Sequence, residues 1–535
     1  MKPFRVLFPM FLTLAITAIT SASAATYTVI NTNDSGGGSL RWAITSALSS
    51  APPNTVAFNI PGAGPHVITI TGAQLPNITN ATSIRGDSQP GYSNTPLIVV
   101  KGPSTSVFAT GLIAQHGSAH IRGVRVTGFF QGIGSASVVN GCVIDDNGVG
   151  IISTAGVIGG SHVTNRNIII NNHTNGISIF TNSSVIIRGN FIGVEADGIT
   201  PAPNGENGIR LNYASGITIE GHPDYPQVIS GHTNGAGILL APNGGYVWMS
   251  SGNTIRGNHI GTDVTGMLSV SNKIGIWSWG GAGNIIGGTD PTHRNVIAGN
   301  TRSGVLLEGF LLVSPTAYNN QLRGNYIGLA ADGLTPLPND IGVHILNGTS
   351  NIVGGVAAGQ GNRFGVSSFY QVYISASGSA LCYSNFVQGN RIGITTGNTV
   401  LAGGQTGIYI NNASNNVIGG TTLSARNVIG GAGSGIYISG PDAQGNRIIG
   451  NLIGCGPAGE PFPNNNYGIN IFQAARNQIG GTYTNEANTI SGNQYYGVYI
   501  SRTGSFNNVF AGNRIGTDPT ATFSVSNRYS GVNIS

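Results

Sequence analysis

The sequence has 535 residues, of which 85 are Gly and only 8% are charged. So little charge argues against a nucleic-acid binder and so much glycine against a helical protein, which leaves an extended, turn-rich β architecture. The formal charge of +5 includes Lys2 and Arg5 of the first segment, so only the placement of charges is informative.

In chain order, that segment runs from Lys2 and Arg5 through the apolar stretch Val6 to Ile19 to the small residues Ala22-Ser23-Ala24. This is the pattern of a cleaved signal peptide over residues 1–24, and it predicts export to the extracellular space, the cell surface or the periplasm. The apolar stretch is too short to span a membrane, and no later stretch reaches the roughly 18 apolar residues a span needs. Cys142, Cys382 and Cys455 are odd in number and several coils apart in a solenoid. A disulfide needs Cα atoms within about 7 Å, so none is expected.

Self-comparison of the chain reveals a repeat. Gly-Asn-x-Ile-Gly recurs at Gly189, Gly257, Gly324, Gly389, Gly450 and Gly512, at nearly constant intervals. A second signature, Gly-(Ile/Val)-x-(Ile/Leu), opens at Gly208, Gly342, Gly407, Gly468 and Gly531, with Gly275-Ile276-Trp277-Ser278 as a variant. A third, Asn-x-(Ile/Val)-Gly-Gly, starts at Asn284, Asn351, Asn416 and Asn477; a fourth, Asn-Val-Ile, starts at Asn295 and Asn427.

These signatures predict a solenoid of short strands broken by Gly and Asn, with coils of about 20–25 residues, three to each unit of roughly 65. On that alignment Ile255, Ile276 and Ile297 stack in successive coils, and the recurrent Asn190, Asn258, Asn325, Asn390, Asn451 and Asn513 are turn residues bonding to backbone. The chain ends in mid-unit on Gly531-Val532-Asn533-Ile534-Ser535, so either the last coil is open or the protein runs on.

From about Gly117 to Ser535 these residues resemble the single-stranded right-handed parallel β-helix proteins of the pectate-lyase-like superfamily, and more closely a group of bacterial secreted β-helix repeat proteins. Thr26 to Ile44, with Gly38-Ser39-Leu40-Arg41-Trp42-Ala43-Ile44, is similar to the segment that opens such proteins. The resemblance implies a short strand and a helix capping the first coil, and Leu40, Ala43, Ile44 and Ala47 fall at helical spacing. Residues 25–116 are thus read as the cap and first irregular coils, and residues 117–535 as the repeats. The superfamily includes polysaccharide lyases, glycosidases, epimerases, adhesins and proteins with no known chemistry, so the resemblance implies a fold and a range of functions. None of its catalytic signatures is matched residue by residue.

If Ile255, Ile276 and Ile297 point inward, the residue after each points outward. That column gathers Arg122, Arg188, Arg210, Arg256 and Arg323 with Trp277, His344 and Tyr409, and Trp279 shares the face of Trp277. Such a stripe suits an extended anionic glycan, with Arg pairing to carboxylates or sulfates and ring faces stacking on sugars; alternatively, exposed strands simply favour these residues. The loops Tyr246-Val247-Trp248-Met249, Phe310-Leu311-Leu312-Val313 and Leu381-Cys382-Tyr383 are candidates for a groove wall.

Asp145, Asp146 and His344 are the candidate catalytic groups, since a glycosidase needs two carboxyls and a lyase a base. Glu195, Asp197, Asp263, Asp332 and Asp518 invite a calcium site, but their spacing along the solenoid prevents them from sharing an ion, and turn capping is the better reading. No metal and no cofactor is expected. The function read from the sequence is binding, or cleavage by a polysaccharide lyase or glycoside hydrolase chemistry, of an acidic extracellular polysaccharide or cell-surface glycan by a monomer. The alternative is a non-catalytic surface or adhesive solenoid.

Overall fold

The computed structural model describes residues 24–535 except 107, 108, 136, 181–183, 243–248, 311–316, 379 and 380, so nearly all of the signal segment and most of two predicted wall loops lie outside the described residues. Three parallel sheets of 17, 16 and 15 strands run the length of the chain. Sheet A opens with Ala25–Val29, sheet B with His66–Thr69 and sheet C with Thr110–Ala114. Each turn visits them in the order A, B, C: Thr254–Arg256, Asn258–Ile260 and Ile274–Trp279 are followed on sheet A by Ile285–Gly287. The molecule is a right-handed parallel β-helix, the hand that twisted parallel strands with crossover connections adopt.

The repeat signatures are the corners and faces of these turns. Between sheets A and B the chain turns on one glycine, as at Gly257, whose φ of 66° is left-handed. A Cβ there would sit 2.2 Å from the carbonyl oxygen of Gly221. Inward positions stack in files such as Ile255, Ile286, Leu322 and Val353, all buried, each worth roughly 1.5–3 kcal/mol in burial.

Asparagines fill the corners. In one ladder Asn253, Asn284, Asn320, Asn351, Asn385 and Asn416 pass side-chain hydrogen bonds from turn to turn, while Asn253 Nδ2 also donates to the Ala214 carbonyl. A second ladder contains Asn190, Asn258, Asn325, Asn390, Asn451 and Asn513, and each of these donates to a backbone carbonyl, as turn residues were expected to do. Each ladder satisfies backbone groups that the corners would otherwise strand in the interior.

Turn length varies along the chain. Ile144 pairs with Ile169, twenty-five residues on, within the expected coil size. In the later repeats longer loops stretch the step, and the corner bond from Asn253 reaches Asn284 across 31 residues. Each repeat unit there makes two turns of the helix where three were expected. Ile255, Ile276 and Ile297 therefore stand on sheets A, C and B rather than in one file.

At the start, helix Leu40–Leu48 buries Leu40, Ala43, Ile44 and Ala47 against the first turns, and Ser39 caps it by accepting from the Trp42 N–H. This is the strand-and-helix cap expected from the resemblance. The segment 25–116 supplies the first strands of all three sheets, so it is continuous with the repeats. All three cysteines are free and buried.

Candidate functional site

The predicted single stripe does not form. Because a full turn in the later repeats is longer than the interval from Ile255 to Ile276, the column divides between two faces. Arg122, Arg188, Arg256 and Arg323 lie on sheet A. Arg210, Trp277, Trp279, His344 and Tyr409 lie on sheet C.

The sheet A arginines are largely engaged by carboxylates. Arg122 donates to Asp87 at 2.8 Å and to Asn165 Oδ1 at 2.6 Å. Arg188 and Arg256 flank Glu220 on neighbouring strands and share it, at 3.5 and 2.8 Å. Arg323 stands beside Gly287. On sheet C, Arg210 donates to Asn212 Oδ1 at 2.7 Å and lies 3.9 Å from Glu206.

The catalytic candidates are dispersed as well. Asp145 is on sheet B and is gripped by two donors of Arg125, Nε and Nη2. Asp146 turns away in the left-handed region, φ 52°, to meet His173 Nε2 at 3.0 Å. His344 is many turns further on in sheet C, with its Nε2 2.9 Å from Ser375 Oγ, and burial pushes its pKa down to about 3, so the ring stays neutral. The loop carboxylates are turn caps: Asp197 accepts from the Ile199 and Thr200 N–H groups, Asp332 from Leu334 and Thr335, and Asp518 from Thr522 and Phe523. Among the described residues no group of three or more His, Cys, Asp or Glu is placed to hold a metal ion.

The outer face of sheet C collects aromatic residues. In one half Trp277 and Trp279 stack at 5.7 Å and Trp279 meets Phe310 at 5.7 Å, over an outer apolar cluster of Leu239, Ile274 and Leu306. Trp277 Nε1 donates to Glu308 at 2.9 Å; burial nevertheless raises the Glu308 pKa, against the opposing pull of that bond and of the Arg302 charge.

In the other half, successive turns place His344, Tyr373, Tyr409 and Tyr437 in direct register. Their rings stack at 4.5, 5.0 and 4.8 Å with interplanar angles of 19°, 14° and 7°. A second file of polar side chains runs alongside: Asn411 donates to the Tyr373 hydroxyl at 3.1 Å and Tyr409 bonds Ser439 at 2.9 Å. Burial, chiefly, pushes the Tyr409 hydroxyl up to about 12, so it keeps its proton.

Parallel rings at this spacing cover one another's faces, and the Tyr373 and Tyr409 hydroxyls turn toward Asn411 and Ser439 alongside. The expected stacking of ring faces on sugars therefore does not apply within the file. Tyr373, Tyr437 and Glu308 escaped the sequence reading. For Tyr437 the signal was present in second copies of the Gly-(Ile/Val)-x-(Ile/Leu) signature, Gly435-Ile436-Tyr437-Ile438 and Gly497-Val498-Tyr499-Ile500, which fall midway through the units.

The predicted wall loop Leu381-Cys382-Tyr383 lies beside this face. Leu381 and Cys382 line a concavity of about 670 Å³ with Asn412, Asp442, Gln444 and Arg476. Met249 and Phe310 are the described members of the other two wall loops.

No protein-family model matches the chain, and no curated protein matches it. Among solved structures, it is similar to the A-module of a mannuronan C-5 epimerase from Azotobacter vinelandii, at 11% identity over 91% of this chain and 98% of that one, with a TM-score of 0.41. An alginate lyase from a Paenibacillus species is 15% identical over 68% of this chain and 94% of its own, with a TM-score of 0.28. A surface adhesin of Streptococcus pneumoniae is 10% identical over 92% of this chain and 93% of its own, with a TM-score of 0.25. At these identities and TM-scores the likeness carries nothing about the site, and it is the strand pairing of the chain itself that makes it a parallel β-helix.

Proposed function

We propose that this protein is exported and binds an extended polysaccharide, uronate-bearing chains included, along the outer face of sheet C. The observation that carries this reading is the file Tyr373, Tyr409 and Tyr437, which repeats one hydroxyl-bearing ring per turn beside Asn411 and Ser439. A polymer of sugars laid along the solenoid axis meets similar neutral donors and acceptors on three successive turns. Such groups hydrogen-bond hydroxyls and carboxylates alike. The Trp277 and Trp279 pair adds apolar surface for the less polar face of a sugar ring, and Arg210, further up the same sheet, supplies a cation for acidic chains.

Export rests on the N-terminal pattern of residues 1–24. Among the described residues no helix is long and apolar enough to cross a membrane. A glycan array carrying neutral and acidic chains tests the reading, followed by ultraviolet detection of unsaturated products from alginate, pectin and glycosaminoglycans. Binding that weakens in Tyr409→Ala and Tyr437→Ala is expected. Absence of binding to any glycan overturns it.

A second reading, a non-catalytic adhesive or structural solenoid, draws support from the ring-on-ring stacking and the asparagine ladders, both of which stabilise the helix without a ligand. On that reading the same tyrosine substitutions lower stability and change no glycan affinity.

A further inference from the structure

The outer face of sheet B gathers three arginines that the sheet C reading does not use. Arg363 and Arg391 are direct cross-strand partners, and like charges on strands about 4.8 Å apart destabilise a sheet unless something neutralises them. Arg294 joins them from a preceding turn, its guanidinium 4.1 Å from the centroid of the Tyr326 ring, and Tyr326 is the strand neighbour of Arg363.

Elsewhere on the helix Arg85, Arg122, Arg125, Arg188, Arg256 and Arg447 each have a carboxylate at ion-pair distance. Among the described residues Arg294, Arg363 and Arg391 have none, and neither do Arg166, Arg323 and Arg426, so it is their clustering that sets these three apart. Their bonds go to neutral oxygens instead: Arg294 Nε to the Gly324 carbonyl at 3.1 Å, Arg363 to the Thr395 carbonyl at 3.3 Å and Arg391 to the Asn398 amide oxygen at 2.5 Å. Arg391 Nε is buried without a partner. Glu460 acts on Arg391 through its charge, while its Oε2 accepts from the Ala458 N–H at 2.8 Å.

The three arginines line one concavity of about 340 Å³, together with Tyr326 and the backbone of Gly324, Gly361 and Gly389. Burial pushes the pKa of both Arg363 and Arg391 down, with a further push on Arg363 from Arg294 and on Arg391 from Arg363, against the opposing pulls of Tyr326 and Glu460. Clustered positive charge beside a half-buried wall favours an anion in this pocket. Guanidinium forks match the oxygens of tetrahedral oxyanions better than any other side chain does.

We propose that Arg294, Arg363 and Arg391 form an anion site on sheet B that takes a sulfate or phosphate group, either as the free ion or as an ester on a glycan. The site is independent of the sheet C face, so each stands or falls separately.

The test uses the whole exported chain. Its unfolding midpoint is followed while inorganic sulfate, and separately phosphate, replaces chloride at constant ionic strength in the low millimolar range, where general salting effects are small. Wild type is expected to show a saturable rise. Arg363→Gln and Arg391→Gln are expected to lose it while being no less stable than wild type in chloride, because the like-charge pair is relieved. Arg447→Gln, which breaks the pair with Glu486 on another face, is expected to keep the rise.

Calorimetric titration of wild type with inorganic sulfate and with a sulfated tetrasaccharide then separates the sources. Tighter binding of the sugar by about tenfold or more points to the ester, and equal binding to the free ion. No saturable rise in wild type, or a rise that both glutamine variants retain, overturns the proposal. Loss of glycan-array binding in Tyr409→Ala with the sulfate response intact would leave this site standing by itself.

Discussion

Replacing Tyr409 with Phe separates the hydroxyl-edge reading of sheet C from a ring-face reading. The ring lies between Tyr373 at 5.0 Å and Tyr437 at 4.8 Å, nearly parallel to both, and phenylalanine keeps both contacts. What is lost is the hydroxyl and its 2.9 Å bond to Ser439, worth about 0.5–1.5 kcal/mol of stability. If the hydroxyl edges contact a glycan, the same hydroxyl contributes one hydrogen bond to binding, and affinity should fall by about three- to tenfold.

Tyr409→Ala should behave differently. It removes two stacked pairs at about 0.5–1.5 kcal/mol each, together with the bond to Ser439 and some apolar burial, for a total near 2–4 kcal/mol. Calorimetric titration with the glycan selected on the array, run beside urea unfolding of each variant, measures both quantities. A Phe variant that binds as tightly as wild type refutes the hydroxyl-edge argument.

Other expectations follow from particular contacts. Glu220→Gln leaves Arg188 and Arg256 on either side of a neutral amide without their shared carboxylate; a loss of about 1–2 kcal/mol, shrinking as salt is added, should appear in urea unfolding. Asn325→Ala strands the Ile286 carbonyl and interrupts the bonds to Asn295 and Asn362, all at buried positions, so a loss of about 2–4 kcal/mol is expected in the same assay. A further ladder of buried corner side chains includes Asn204, His232 and Asn272, with His232 bonded to the two amides at 3.2 and 3.0 Å, and burial lowers its pKa from 6.5 to about 4.

The unfolded chain therefore binds a proton that the native His232 refuses across that interval. Stability is complete above about pH 6.5 and is lost progressively toward pH 4, by up to about 3 kcal/mol. His232→Asn restores the ladder residue and should remove that contribution, leaving the one from buried His344, which is at least as large and reaches to lower pH; an unchanged pH profile of the unfolding midpoint would contradict it.

Much of the fold was legible in the residues, because a β-helix writes its geometry locally. Gly-Asn pairs mark corners where only a left-handed residue and a small side chain with both donor and acceptor fit. Alternating Ile and Val mark strands, and the spacing of Leu40, Ala43, Ile44 and Ala47 marks the capping helix. The turn-capping role of Asp197, Asp332 and Asp518 was legible for the same reason, since an aspartate bonding to N–H groups a few residues further along the same loop needs no distant partner.

The candidate site was less legible, because it depends on which turn lies above which. Reading Ile255, Ile276 and Ile297 as one file placed arginines and aromatics on a shared face. Counting the second copies of Gly-Ile-x-Ile would have set the step at half a repeat unit instead of a third, and brought Tyr437 and Tyr499 into the tyrosine face.

The sequence by itself determined a glycine-cornered solenoid with an apolar interior and a helical cap, since each of those features is enforced within one turn. Only the tertiary structure decided that Arg188 and Arg256 share Glu220, that Tyr373, Tyr409 and Tyr437 hide their faces against one another, and that Arg363 meets Arg391. Each of those contacts joins residues a full turn of the helix apart. Loops of unequal length set that register, and a shift of a few residues moves a side chain to another face of the helix.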